Sequence, residues 1–306
     1  MKFFLLTGVI LWFAWGNSFA QVTIKKDEQG LLFTEGDENI LFYQKAPKNH
    51  EGEYERRHYI HPLWGLDGTI LTEDFPDDHL HHRGIFWAWH QVWIGDQRIG
   101  DPWALESFEQ HIAEVEFFAQ SDGSGVLKSE VEWLSDLWIK NGEKEPYLKE
   151  NTTITIYPQA KNYRRIDFEI NLLALEKNLS IGGSEDEKGY SGFSVRMILP
   201  EDVTFSGKNG KVEPQTLAVT SPGYIDVSGS LGKEGQKAGV VIVDHPSNPG
   251  YPQPWILRAK SSMQNAAFPG SGTVPVSTSV PLTLKYSLLI HSGKMTDRQI
   301  RKAMAH

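Results

Sequence analysis

The stretch IDFEINL, residues 166–172, alternates apolar residues with acidic or amide residues without a break. Because successive side chains of a β-strand point to opposite faces, this alternation predicts a strand with one face in a core and the other towards solvent. The stretch LTLKYSLLI, residues 282–290, alternates in the same way over most of its length. Two long strands of this kind predict antiparallel sheets packed on a hydrophobic core.

The rest of the chain extends this pattern. Short strand-like runs recur at residues 22–25, 31–34, 40–44, 152–157, 194–199, 238–243 and 255–260. The turn SDGSG at 121–125 predicts a β-hairpin, and one helix is predicted at 296–304, where Thr296 and Gln299 have the spacing of a capping box. The predicted fold is all-β: a large antiparallel β-sandwich with few short helices.

The N-terminus has the composition of a secretory signal. Lys2 precedes an apolar run at residues 3–15, and Ser-Phe-Ala at 18–20 matches a small-x-small cleavage site. We therefore expect residues 1–20 to be a signal peptide and residues 21–306 to form a single domain, periplasmic or secreted, with no membrane span left after cleavage. The chain has no cysteine, so its stability is expected to come from a hydrophobic core rather than from disulfides.

Charge excludes one class of partner. The formal net charge is -9, and no basic run is present that could follow a phosphate backbone. Nucleic acid is therefore not expected as a partner.

Histidines are concentrated in one part of the sequence. The run DDHLHHRGIFWAWH at 77–90 contains four of the 11 histidines, and imidazole is both the commonest acid or base near neutral pH and a common metal ligand. We expect a central strand at 84–94, with His79, His81, His82 and Arg83 in the loop before it and His61 as a partner from a nearby loop.

His90 is not expected to share this site. If the strand at 84–94 is straight, eight residues separate His82 from His90 by roughly 26 Å. We therefore predict a structural role for His90.

The histidine cluster leaves three interpretations open. As a metal site, His79, His81 and His82 would supply two or three imidazoles, although the H-x-H-H spacing matches no standard zinc motif. As an acid/base site, one histidine would move a proton while Arg83 and a second histidine hold substrate oxygens. The third interpretation is a binding or purely structural cluster without chemistry.

A second group of polar residues lies at DHPSNP, residues 244–249, and is followed by Trp255 in a proline-rich segment. Such a loop at the exit of a buried strand suits the rim of a sugar-binding site. His245 is its stronger functional candidate, because Asp244 and Asn248 are also typical of turns that organise their own backbone. We expect Asn248 and Trp255 to contact substrate, with Trp255 stacking on the sugar.

Isolated charged residues give weaker signals. Arg196, set between apolar residues of a strand, requires a buried partner or an anionic ligand. Asp226 is expected to pair with Arg196 or with a histidine, and His291 to be a surface or site residue. Glu150 is expected to face solvent.

Four blocks of the sequence together resemble a known family. They are YIHPLWGLDGTILTEDFPDDHLHHRGIFWAWHQV (59–92), YIDVSGSLG (224–232), VDHPSNPGYPQPWILR (243–258) and LKYSLLIHSG (284–293). In these blocks the chain resembles the secreted bacterial family labelled "methane oxygenase PmoA". The resemblance implies a β-supersandwich of the galactose-mutarotase type, in bacteria that degrade complex glycans.

The leading hypothesis is therefore a carbohydrate-active enzyme that moves a proton on a saccharide or glycoside, as an epimerase, a lyase or a hydrolase of an oxidised (keto) glycoside. A loop histidine, with His81 and His82 as the main candidates, would be the base, His245 or Asp226 the acid or orienting group, and Arg83 and Arg196 the stabilisers of an oxyanion. His61 and His79 would help to bind the substrate. The alternatives are a protein that binds copper or another divalent ion with an oxidase role, and a non-catalytic sugar-binding protein. The enzymatic hypothesis requires the loop histidines and His245 to meet in one hollow.

Overall fold

The computed structural model describes residues 21–260 and 263–305. The predicted signal peptide, residues 1–20, lies outside the described residues. Over the described part the chain is an antiparallel β-sandwich with one short α-helix, which confirms the predicted fold class. No helix in that part is long and apolar enough to cross a membrane.

Strands account for nearly all of the regular structure. In chain order they are β1 Val22–Lys26, β2 Gly30–Glu35, β3 Glu38–Gln44, β4 Lys48–His50, β5 Glu53–Arg56, β6 Tyr59–Leu63, β7 Ile85–Trp89, β8 Gln91–Ile94, β9 Gln97–Gly100, β10 Glu109–Ala119, β11 Gly125–Leu134, β12 Ile139–Lys140, β13 Glu143–Lys144, β14 Leu148–Ile156, β15 Tyr163–Ala174, β16 Leu179–Gly182, β17 Ser191–Arg196, β18 Thr204–Gly207, β19 Gly210–Lys211, β20 Val219–Thr220, β21 Tyr224–Gly229, β22 Ala238–Asp244, β23 Pro254–Ile256, β24 Met263–Ala267, β25 Thr273–Pro275 and β26 Leu282–Ser292. A 3₁₀ turn spans Lys233–Gly235, and helix α1 spans Asp297–Met304.

Two large sheets form the sandwich. Within the described residues, the first sheet has the strand order β1-β2-β3-β6-β7-β17-β24-β23-β20, and the second has the order β10-β11-β14-β15-β26-β22-β21-β18-β19. The alternating stretches at 166–172 and 282–290 lie in β15 and β26, which pair with each other at the centre of the second sheet. The register Phe168↔Tyr286 places apolar residues of both strands on the same face, as the alternation predicts.

The core lies between the two sheets and draws on residues from β1 to β26. Aromatic rings meet across it: the Trp87 and Phe168 centroids are 6.4 Å apart, and the Phe193 and Tyr286 rings stack at 4.6 Å. Such contacts fix the spacing and relative position of the sheets.

Each sheet also carries a smaller apolar layer on its outer face. On the first sheet this layer contains Tyr59, Phe86 and Trp103. On the second sheet it contains Tyr224 and Leu289 together with residues of α1. Loops and the helix therefore cover parts of both outer faces, and those faces are where cavities can form.

The prediction of one continuous strand at 84–94 is wrong. The structure has two strands there, β7 and β8, separated at His90. β7 pairs with β17 in the first sheet, whereas β8 pairs with β16 and β9 in a separate four-stranded sheet. The chain therefore changes direction at His90.

The predicted hairpin and helix are both confirmed. β10 and β11 pair on either side of the turn at 120–124. Thr296 caps α1 by accepting the Gln299 backbone N–H, and the Gln299 side chain accepts the Thr296 backbone N–H in return.

Candidate functional site

The histidine-rich loop lies over the outer face of the first sheet, and Arg83 holds it there. The buried Arg83 guanidinium donates to the backbone oxygens of Leu80, at 2.5 Å, of His82, at 3.0 Å, and of Tyr54. Its charge packs on the ring of Phe75, 3.5 Å from the centroid. The predicted contact between Arg83 and substrate does not agree with this position, because all of these groups enclose the side chain. Arg83 is the anchor of the loop.

The three loop histidines lie in mutual contact. The rings of His79 and His82 stack nearly parallel at 4.7 Å, and His81 meets the His82 ring edge-on at 4.5 Å. His79 is exposed, His81 is half-buried and His82 is buried, packed between His79 and Phe86. The sequence correctly placed these residues together but did not reveal that His82 is a buried member of the group.

Arg196 joins this cluster to two carboxylates. Its side chain is only 2% exposed, and its Nη2 and Nε donate to Asp78 Oδ1 at 2.6 Å and to Glu73 Oε2 at 2.9 Å. Its Nη1 lies 3.2 Å from His82 Nδ1. The counter-charge that Arg196 was predicted to need is supplied by Asp78 and Glu73, which are partly exposed carboxylates rather than a buried partner or a ligand, so the guanidinium is not free to neutralise a substrate carboxylate.

These contacts fix the protonation of two rings. Because Arg196 can only donate, His82 Nδ1 must accept, which makes His82 a neutral ring protonated at Nε2. His79 Nδ1 lies 2.9 Å from Asp78 Oδ2 and must donate to that carboxylate. A neutral His79 therefore presents the lone pair of Nε2, and this nitrogen has no hydrogen-bond partner among the described residues.

Burial and neighbouring charges lower the basicity of the other two loop histidines. Burial and the nearby His79 lower the pKa of His81 to about 4. Burial, with His81 and His79 next in importance, lowers the pKa of His82 to about 2. For Asp78, burial acts to raise the pKa, but the hydrogen bonds from Arg196 and His79 outweigh it and leave the pKa well below the usual range. Asp78 is therefore an anion, and His81 and His82 are uncharged at neutral pH.

A cavity of about 760 Å³ adjoins this group. Its wall includes Asp78 and Arg196, and its other carboxylates are Glu73, Asp77 and Glu201. The segment that follows β17 contributes aliphatic side chains to the wall, among them Ile198 and Leu199. Lys260 contributes one further cation. Its volume is in the range of small-molecule sites.

The loop histidines do not have the geometry of a metal site. A metal lies in the plane of each imidazole that binds it, about 2.0–2.1 Å from the nitrogen for zinc. His79 and His82 lie in planes that differ by only 4° and are stacked, so their in-plane lone pairs do not converge on one ion. Over residues 21–260 and 263–305 no group of three His, Asp or Glu side chains is arranged to hold a metal.

His90 lies closer to this cluster than predicted. Its ring stacks on Trp103 at 5.3 Å, and the His82 ring meets Trp103 edge-on at 6.0 Å. The 26 Å separation assumed a straight strand, but the chain bends at His90 and the loop folds back over the sheet. His90 also binds Asp101, with Nδ1 2.9 Å from Oδ2, so its structural role stands although the geometric reason for it was wrong.

His61 lies on β6 at the border of the loop. The His61 Nδ1 is 3.1 Å from Thr72 Oγ1. A Cβ atom added at Gly84 would lie only 2.9 Å from the Cβ of His61, so the absence of a side chain at Gly84 makes room for His61. Burial, partly opposed by Asp74, lowers its pKa. It is half-buried and, among the described residues, makes no ring contact with the three loop histidines.

His245 does not meet the loop histidines. It follows β22, and its cavities are lined by residues of the second sheet and α1. The loop histidines contact Phe86 and Trp103 on the outer face of the first sheet. The whole core separates the two positions, so the predicted single hollow is not formed.

Asn248 and Trp255 are structural rather than exposed binding residues. Asn248 is buried, with its Nδ2 donating to Asp244 Oδ1 at 2.8 Å and its Oδ1 accepting the Lys285 N–H at 2.6 Å. Trp255 lies in β23 with no exposed surface and donates to the Ser221 carbonyl at 2.8 Å. The predicted sugar stacking by Trp255 is therefore incompatible with its position in the core.

Asp226 pairs with a histidine, as one of its two predicted alternatives stated. His291 Nε2 lies 3.0 Å from Asp226 Oδ1, and both side chains are buried on the outer side of the second sheet. A Cβ atom added at Gly239 would lie 2.5 Å from His291 Nε2, so the missing side chain makes room for the ring. Enclosure of this kind makes the pair part of the structure of the sheet.

The sequence did not reveal a second histidine–carboxylate pair inside the core. Glu150, expected at the surface, is fully buried, and its carboxylate faces His58 Nε2 at 2.6 Å. It also accepts the indole N–H groups of Trp87 and Trp133 and the hydroxyl of Thr152. Burial acts to raise the Glu150 pKa, but His58 and these donors outweigh it and lower the pKa below the usual range. One available signal was parity, since Glu150 alternates in step with Ile154 and Ile156 of the same strand.

The first cavity is therefore the best candidate active site in the described structure. Its wall contains a carboxylate, Asp78, and the buried guanidinium of Arg196 that holds it, and this carboxylate orients the exposed His79, which adjoins the cavity. A histidine bound in this way at Nδ1 can take a proton at Nε2, and the carboxylate then stabilises the imidazolium. The geometry favours His79 as the base over His81 and His82, because burial lowers the pKa of those two rings, which makes them weaker bases, and encloses them more.

Comparison with known proteins gives a family but no activity. No curated protein matches the chain. A family model described as a family of unknown function, DUF6807, matches residues 31–305, which is nearly all of the chain. The chain therefore belongs to this family of unknown function, DUF6807.

Proposed function

We propose that the chain is an exported enzyme that removes a proton from a neutral saccharide, with His79 as the base. The observation that carries the proposal is the chain of contacts Arg196–Asp78–His79 at the edge of the 760 Å³ cavity. It leaves one nitrogen of an oriented imidazole free, which is the arrangement that general-base catalysis requires.

The lining of the cavity supports a neutral, hydroxyl-rich substrate. Its four carboxylates outnumber its two cations, Arg196 and Lys260, and Arg196 is already paired. This balance disfavours an anionic ligand, whereas carboxylates accept hydrogen bonds from sugar hydroxyls. Aliphatic side chains on the same wall suit the apolar face of a sugar ring. The resemblance to a secreted protein family of bacteria that degrade glycans agrees with a saccharide substrate.

The reaction that fits best begins beside a carbonyl group. A C–H bond next to the carbonyl of an oxidised (keto) sugar is acidic enough for a histidine to remove the proton, and epimerisation and β-elimination of a keto-glycoside both start with this step. His79 Nε2 would take the proton and Asp78 would stabilise the resulting imidazolium. The copper or divalent-metal alternative is not favoured, because the stacked rings do not converge on an ion.

Hydrogen–deuterium exchange tests the step directly. Methyl 3-keto-glucoside is incubated with the protein in D2O, and loss of the proton next to the carbonyl is followed by NMR against a protein-free blank. We expect the wild-type protein to accelerate this exchange, and His79→Ala to lower the acceleration about 10²–10⁴-fold, the usual contribution of a general base.

His111→Ala is the matched control. His111 is also exposed and also binds a carboxylate through Nδ1, with Glu132 Oε2 at 3.0 Å, but it lies on β10 far along the second sheet. It should leave exchange unchanged. Saccharide binding without any catalysed exchange would instead establish a non-catalytic sugar-binding protein, and equal exchange by His79→Ala would exclude His79 as the base.

A further inference from the structure

A second cavity, of about 490 Å³, lies on the opposite side of the sandwich between α1 and the loop that follows β22. Its walls are mainly apolar, formed by Tyr224 and Val243 from neighbouring strands and by Ile300 and Met304 from α1. Ile300 and Tyr224 also belong to the apolar layer that fastens α1 to the sheet. The cavity is therefore built on regular elements.

Three cations stand around these apolar walls: Arg165, Lys208 and Arg301. Arg165 Nε binds Asp167 Oδ1 at 2.8 Å, and Arg301 forms an ion pair with Asp297 one turn earlier in the helix. Lys208 is exposed in the turn between β18 and β19 and has no ion-pair partner among the described residues. One positive charge of the rim is thus left for a ligand.

His245 adds a hydrogen-bond donor to the same cavity. Its Nδ1 accepts the Ser247 backbone N–H at 3.1 Å, with the Ser247 hydroxyl 2.8 Å away. A neutral His245 therefore carries its proton on Nε2. This N–H has no partner in the described structure, and an oxygen of a ligand is its natural acceptor.

The two cavities differ in the charges on their walls. The first has four carboxylates and two cations on its wall. The second has three cations and two carboxylates, of which Asp297 is paired with Arg301 and Asp244 is buried against the Gln253 N–H and Asn248. In a chain of net charge -9, an apolar cavity whose rim carries a cation without an ion-pair partner among the described residues is a distinctive feature, and a neutral polar sugar is not its best ligand.

We propose that this second cavity binds a small amphipathic anion, namely an aromatic or alicyclic ring that carries one carboxylate. The ring would pack against Tyr224, Ile300 and Met304, and the carboxylate would pair with Lys208 and accept the His245 N–H. Burial of apolar surface would supply most of the affinity, and the ion pair would supply the preference for an anion. The site is separate from the proposed catalytic cavity and goes beyond the proposed function.

Binding of benzoate and of its neutral analogue benzamide, measured by isothermal titration calorimetry, tests this proposal. We expect one benzoate per chain and markedly weaker binding of benzamide. Lys208→Gln should raise the Kd for benzoate about fivefold, the order expected for one solvent-reachable ion pair. Lys211→Gln removes the same charge from the same hairpin, but Lys211 does not line this cavity, so it should leave the Kd unchanged.

A second variant tests the position independently of charge. Met304→Trp places a larger side chain at the cavity wall near the end of α1, and it should abolish benzoate binding while leaving deuterium exchange on the keto-sugar intact. Equal binding of benzoate and benzamide, equal effects of the two lysine variants, or no saturable benzoate binding would each overturn the proposal. If the wild-type protein does not accelerate deuterium exchange on the keto-sugar, this result would contradict only the proposed function.

Discussion

Glu150 is the residue whose environment differs most from what its type suggests. It places a carboxylate in the core, where a lone charge would be strongly unfavourable, and it is stabilised there by His58, two indoles and a hydroxyl. His58 is itself bound on its other side, where Tyr43 Oη lies 2.7 Å from Nδ1. The whole chain of polar groups is satisfied without water.

Replacement of Glu150 by leucine should therefore be severely destabilising. The variant keeps the volume of the site but leaves four buried donors without an acceptor, which should lower the free energy of unfolding by roughly 3–5 kcal/mol. Urea denaturation followed by tryptophan fluorescence measures the change. Glu116→Leu, at an exposed position of β10, should change stability by less than about 0.5 kcal/mol. A loss below 1 kcal/mol for Glu150→Leu would show that the network does not stabilise the fold.

Residue type and spacing predicted a cluster of histidines in this loop, the need of Arg196 for a counter-charge, and a histidine as one of two partners for Asp226, but they did not predict the contact between Arg196 and the loop. They could not predict which of these side chains are enclosed. Trp255 and Asn248 were expected at a rim because they lie in a proline-rich segment at the exit of a buried strand, but burial depends on which strands lie above them. Glu150 was misjudged because residue type was given more weight than strand parity.

The loop at 76–84 owes its shape to an unusual anchor. Arg83 binds three backbone carbonyl groups, and the loop's own turns add two hydrogen bonds, from His79 N to Pro76 O and from His82 N to His79 O. No apolar residue could replace the guanidinium in this role. The loop is thus held by a buried side chain, Arg83, in addition to the ion pair between its exposed Asp78 and Arg196.

Arg83→Met should loosen this loop while leaving the rest of the sandwich intact. Each carbonyl that loses its donor costs about 1–3 kcal/mol, so amide hydrogen exchange at 76–84 should accelerate at least about tenfold. Exchange in β14 and β15 should stay the same. Arg57→Met, which removes a partly exposed side chain paired with Glu55, is the control. Unchanged exchange in the loop would show that Arg83 is not its anchor.

At the level of elements, alternation predicted the long paired strands β15 and β26, short strand-like runs predicted several others, and capping chemistry predicted α1. The break at His90 was not predictable in this way. The residues on both sides of it are aromatic and apolar, since β7 is buried on both faces and β8 enters another sheet. A continuous apolar run does not distinguish one long strand from two short ones in different sheets.

The molecule as a whole should lose stability in weak acid, and the histidines should begin that loss. Burial lowers the pKa of His61, His81 and His82 in the folded chain. A group with a lowered folded-state pKa binds more protons when unfolded, so its contribution to stability is present above the unfolded pKa and is lost as the pH falls. The loss should therefore start near pH 6.5, the ordinary pKa of histidine, and should continue to about pH 4 for His81 and about pH 2 for His82. Carboxylates titrate in addition from about pH 4.5 downwards.

Urea denaturation between pH 7.5 and 4.5 measures this loss. In His82→Gln, the free energy of unfolding should fall less steeply as the pH is lowered. The slope should be reduced by up to about 1.4 kcal/mol per pH unit, because one proton fewer is taken up on unfolding. His111→Gln changes an exposed histidine and should keep the wild-type slope. A flat profile down to pH 5, or an unaltered slope in His82→Gln, would contradict the burial of this ring in solution.

Glu150 lies on β14 of one sheet and binds Trp133 and Thr152 of that sheet, yet it also binds Trp87 on β7 of the other sheet and His58 just before β6. Glu150 therefore links the two sheets through the core. Sliding of one layer over the other would break several charge-assisted bonds at once in a dry interior. The two sheets are consequently held in a fixed position relative to each other. A ligand bound on the outer face of one sheet cannot change the outer face of the other by sliding the sheets.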